Sequence, residues 1–176
     1  MNSIDEIAWT HSFQLHVSIM NSAYVLGAID QRRLYMETLR QVDLARELGV
    51  SDMTIYRLRK ATFIHGTTIT DRHAVMIFTA FEMQRVGVNA ERSCELASRF
   101  HSEILYASGG QDRRVWLTFV DDDKHDIVLA AITARQLEAH LATFPLSVTL
   151  SLHECVQRAV ERLSVMRARL AGRAAA

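Results

Sequence analysis

Arg57 and Lys60, with Met53, Thr54 and Tyr56 just ahead of them, bring cationic, hydrogen-bonding and apolar side chains into eight residues of chain. A guanidinium reaches guanine edges or a phosphate oxygen, hydroxyls suit phosphate oxygens, and a methionine suits a thymine methyl. The chemistry implied is the noncovalent reading of duplex DNA. Bond-making chemistry has no comparable signature. The sequence holds no phosphate-cradling glycine loop, no nucleophile elbow and no HExxH, so no enzyme and no cofactor are expected.

Side chains that read DNA need a helix whose other face is fixed. From Gln41 onward, apolar residues fall at Leu44, Ala45, Leu48, Val50, Ile55 and Leu58, with Gly49 where the chain must turn. This spacing predicts two short helices crossing at a wide angle. Ala45 is small enough for a close crossing, and Gly49 takes a positive φ without a steric cost. Ser51 is predicted to cap the second helix. With Ile55 and Leu58 turned inward, the outward face is Asp52, Met53, Tyr56, Arg57 and Lys60, edged by Thr54 and Arg59. Gln41 and Ser51, together with His65 and Thr67 from the segment that follows, complete the set expected to meet DNA. Local charge agrees. Between residues 31 and 72, Arg32, Arg33, Arg40, Arg46, Arg57, Arg59, Lys60 and Arg72 outnumber Glu37, Asp43, Glu47, Asp52 and Asp71 by three, in a chain whose 20 basic and 20 acidic residues otherwise balance. Any attraction to nucleic acid must therefore be local.

Three stretches carry a family resemblance. Leu44-Ala45-Arg46-Glu47-Leu48-Gly49-Val50-Ser51 with Thr54-Ile55-Tyr56-Arg57 resembles the first two helices of the MerR-like winged helix-turn-helix superfamily. Phe63–Ile69 has the length of its β-hairpin wing, and Asp71 through Asn89 resembles its third helix and the turn that opens the fourth. The likeness covers residues 41–106. It implies a homodimer on a pseudo-palindromic promoter site, acting as a transcriptional regulator beside RNA polymerase or another regulatory protein. The basic and aromatic pair often found in the family's wing is missing here, and the long dimerising helix that usually follows the fourth is replaced by a different segment.

The fold class expected is mainly α with small β elements: a winged helix-turn-helix domain, then a small α+β domain ending in an amphipathic helix. Alternation of Phe13, Leu15, Val17 and Ile19 predicts a strand, and Ala23 to Met36 a helix, within an N-terminal segment 1–40. The DNA-binding domain spans 41–107, with three or four helices capped at Ser51, Asp71 and Asn89. Small and polar residues at 108–112 mark the boundary. The α+β domain spans 113–172, and 173–176 is an alanine-rich tail. Within that domain Val115–Val120 and Ile127–Ile132 predict a hairpin, Thr133 with Gln136 a capping-box helix to about Thr143, and Leu146, Val148 and Leu150 a short strand.

The last helix carries Leu152, Val156, Ala159, Leu163, Met166 and Leu170, spaced alternately by four and three. Such a stripe either forms a seam with the same helix of a second copy or packs on the strands of its own domain. A homodimer is expected in either case. Each good base contact gives only about 1–3 kcal/mol of discrimination, so one recognition helix reads too little sequence alone.

Other sites are not expected. Cys94 and Cys155 lack metal-ligand spacing and read as buried apolar side chains of a reducing compartment. Cys94 and His101 lie too far apart along one predicted helix to share an ion. Asp121, Asp122, Asp123 and Asp126 lack the glycine and closing glutamate of a calcium loop. Asp5 and Glu6 stand where a signal peptide carries positive charge, and no run is long enough to span a membrane, so a cytoplasmic protein with no membrane partner is expected. Two other readings fit the same residues: a phage or mobile-element DNA factor of excisionase or packaging-initiation type, and a protein-interaction module that never touches DNA.

Overall fold

The computed structural model describes residues 39–62, 64, 68–122 and 125–174. The strand and helix expected in 1–36 lie outside these residues, as do His65, Thr67 and most of the expected wing. The described chain is mainly helical with one small sheet: α1 (Gln41–Leu48), α2 (Asp52–Ala61), α3 (Asp71–Arg85), α4 (Ala90–Arg99), α5 (His101–Ser108), β1 (Trp116–Asp122), β2 (His125–Ala131), α6 (Ala134–Thr143), β3 (Val148–Ser151) and α7 (Leu152–Ala174).

Local chemistry accounts for most boundaries. Asn89 accepts from the Arg92 amide to start α4, and Thr133 accepts from Gln136 to start α6. The Gln136 side chain reaches back to the Ile132 amide at 3.0 Å, which nearly completes the expected capping box. The third cap falls one residue before its expected place. Thr70 caps α3, and His73 returns a bond to the Thr70 amide, while Asp71 is already helical. Residues 89–108 form two helices where one was expected, because the chain leaves helical geometry at the buried Phe100 (φ −105°, ψ 32°). Cys94 and His101 therefore belong to different helices. Ile69 pairs with Leu39 in a lone antiparallel bridge, joining the residue ahead of α1 to the approach to α3.

β1 is the centre of an antiparallel sheet of order β2-β1-β3. Trp116 lies opposite Ala131 on one side and Ser151 on the other, which fixes the register. Side chains opposite one another share a face. Val115, Leu117, Val128 and Leu150 point into the main core, and Trp116, Thr118, Val120 and Ala131 point the other way, where α6 packs over β1 and β2.

The core is built around α3. Ala74, Ile77, Phe78, Ala80 and Met83 are fully buried, and α7 runs along α3 while also meeting α5, α1 and β1. The α7 stripe is consumed there. Leu152, Val156, Ala159, Leu163 and Met166 are buried in the chain's own core and Leu170 packs at its margin, so the seam with a second copy is not available on this face. The period identified an apolar face correctly, but its cover is α3 and α5. The same contacts make residues 38–176 one compact unit, and the expected division at 108–112 is a turn between α5 and β1 within it. The buried His153 fastens the junction of β3 and α7 to β1. Its amide donates to the Val115 carbonyl at 3.2 Å, and its Nδ1 lies 2.8 Å from the same oxygen. No helix among the described residues is long and apolar enough to cross a membrane.

Candidate nucleic-acid interface

The turn between α1 and α2 forms because Gly49 is left-handed, at φ 67° and ψ 31°. Its amide donates to the Arg46 carbonyl at 3.3 Å and the Val50 amide to the Ala45 carbonyl at 3.0 Å, the paired bonds of a Schellman ending. Val50 then packs on the core, and the chain enters α2 through Ser51, whose hydroxyl accepts from the Thr54 amide at 3.2 Å. Ile55 and Leu58 are buried beside Leu44, Ala45 and Leu48. The helix pair is thus fixed by the alanine, glycine and aliphatic positions that the spacing singles out.

What remains outside is the predicted ridge. Met53 is 57% and Tyr56 53% exposed, and Asp52, Arg57 and Lys60 are exposed with them. Thr54 is half-buried and shares a hydrogen bond with the Ser51 hydroxyl at 3.0 Å, so both hydroxyls serve the cap. Asp52 opposes the two cations electrically, but it sits in the first turn, where a carboxylate favours the helix dipole.

Gln41 and Arg59 also make bonds within the fold. The Gln41 amide donates to the Asp52 carbonyl at 2.7 Å, and Arg59 donates to the Gln41 side-chain oxygen at 3.2 Å. One side chain at the start of α1 is therefore bonded to the first and last turns of α2. Both residues position the ridge and are engaged inside the fold. Spacing could not reveal this, since the partners lie 11 and 18 residues from Gln41.

A charged layer beneath the helix pair also escapes local pattern. Asp43 is buried, and bonds from the Arg40 guanidinium at 2.8 and 3.1 Å hold its carboxyl below the usual carboxylate range. Arg169 of α7 meets Glu47 of α1 at 2.7 Å, and Arg167 pairs with Asp71 at the start of α3. Arg162 meets the buried Glu82 of α3 at 3.0 Å, where Arg85 is a second partner. Nothing in the sequence links Glu47 to a partner 122 residues away.

Among the described residues no group of three or more His, Cys, Asp or Glu is placed to hold an ion. The hollow between α1 and α7, lined by Arg46, Glu47 and Arg169 among others, holds about 40 Å³. That is water-sized, whereas small-molecule sites run to roughly 300 Å³ or more. No protein-family model matches the chain, and no curated protein matches it.

Proposed function

We propose that this protein is a sequence-specific DNA-binding regulator of transcription that lays α2 in the major groove, working as a homodimer. One observation carries the reading: α2 is held rigidly from behind, while its opposite side offers Met53, Tyr56, Arg57 and Lys60 to solvent. A protruding helix bearing cations, a phenol and a thioether, anchored by its own turn, has the form that a groove reader requires. Arg57 serves base edges or phosphate, Lys60 and Tyr56 serve phosphate, and Met53 supplies apolar contact. Gln41 and Arg59 hold the helix at its angle.

The test is duplex binding followed by fluorescence anisotropy across a salt series. The intact protein binds more weakly as salt rises, because each phosphate contact releases counterions. Arg57→Ala with Lys60→Ala weakens binding and flattens the slope of log K against log salt by about two. Both side chains are exposed, so the fold survives the change. Binding that is unchanged in the double variant refutes the assignment of this ridge. Genome-wide occupancy then separates a regulator, found at promoters, from a factor of recombination or packaging, found at those sites.

A further inference from the structure

The three-stranded sheet ends on one side at β3, and that edge differs from the other. An edge strand points alternate amides and carbonyls away from its single neighbour, and natural proteins usually guard such an edge with charge. The β2 edge carries Asp126 and follows the run Asp121-Asp122-Asp123-Lys124. The β3 edge carries no charge at all. Twelve consecutive residues, Leu141 to Leu152, contain no Asp, Glu, Lys, Arg or His. Pro145 lies ahead of the strand and removes none of its donors.

Apolar side chains collect at this edge. Leu146 is 95% and Val148 69% exposed, two of the eight large hydrophobic residues left open in the described chain. Val148 stands opposite Phe119 at the rim of the core face, and Leu146 lies two residues ahead of it in the turn that enters the strand. α6 packs over β1 and β2, and Val148 and Thr149 of β3 stay exposed while Leu150 meets the core.

The geometry points to β3 as the surface through which two copies of this chain pair, strand against strand and antiparallel about a twofold axis. Electrostatics selects the occupant. A charged partner segment would lose hydration here with no opposite charge to meet, whereas an uncharged edge meets its own copy without repulsion. The product is a continuous six-stranded sheet, β2-β1-β3 followed by its symmetry mate. Such pairing satisfies outward backbone groups and buries Leu146 and Val148 together. With the α7 stripe spent inside the chain, this edge takes the role first expected of that helix. The purpose of the dimer rests on the DNA-binding reading above, although its existence does not.

Sedimentation of the full chain without DNA tests the pairing separately from any DNA contact. The wild type sediments as a dimer at micromolar concentration, and Leu146→Lys with Val148→Lys weakens the dimer at least about tenfold. Amide hydrogen exchange on the wild type gives a second reading that needs no variant: residues 148–151 gain protection as protein concentration rises. A wild type that stays monomeric up to about 100 µM overturns the inference, as does a dimer that the double variant leaves intact. Protection at 148–151 that is already full in a monomer also overturns it, since another part of the same chain would then cover the strand.

Discussion

Gly49 adopts φ 67° with open space where a Cβ would project, so a side chain there meets a backbone cost and no clash. Gly49→Ala lowers stability by about 1 kcal/mol, and Gly49→Asn by roughly half as much, since asparagine tolerates the left-handed region better. Urea midpoints at constant m-value measure both, and equal midpoints for all three proteins would show that the turn relaxes out of this conformation. The requirement for glycine was legible from its place after Leu48 and before the capping serine. The outward direction of Tyr56 and Arg57 was legible too, because burying Ile55 and Leu58 leaves them no other side. Gln41 and Arg59 were not. A helical wheel gives the direction in which a side chain leaves its helix, while the hydrogen bonds it makes depend on a second helix and its angle.

Between elements, Glu82 of α3 is the most exposed to error. Its carboxylate is fully buried, and Arg85 and Arg162 are its ion-pair partners. Arg162→Met removes the partner from α7 and leaves a buried charge with half its compensation, at a cost of about 3 kcal/mol. Glu82→Gln in the same protein recovers part of that loss, because a neutral amide is cheaper to bury than an unpaired carboxylate. A double-mutant cycle on unfolding midpoints checks the pair, and purely additive losses would refute the coupling. Elements themselves were largely readable. The hairpin of β1 and β2, the strand at 148–151 and the helices capped by Ser51, Asn89 and Thr133 follow from alternation and caps. The break at Phe100 was hidden inside continuous helical periodicity. For α7, heptad spacing established one apolar face and said nothing of what lies against it. That answer depends on α3, some 80 residues earlier.

Across the whole molecule, both thiols are enclosed. Cys94 and Cys155 are buried, and burial, the largest influence on each, pushes the thiol up, to about 11 for Cys155. Neither reacts with a thiol reagent at pH 8 while the chain is folded, and both label together at the rate of global opening. Rapid labelling of either one alone would reveal local opening around that helix. The sign with pH follows from the same burial. The folded protein keeps the Cys155 proton at pH values where the unfolded chain releases it, so this contribution to stability is complete below about pH 9 and declines as pH rises toward 11. Composition suggested buried, unreactive cysteines from their number and spacing alone. It did not reveal that helices from both halves of the described sequence share one interior. α7 completes that interior from the far end of the chain, and Arg162, Arg167 and Arg169 bind it to α3 and α1. The pair α1 and α2 is consequently no portable cassette. Lifting residues 41–108 into another protein would bare the side of α3 that α7 covers and strand Glu82 without its cross-helix cation, so a folded chimera must inherit α7 along with α1 and α2.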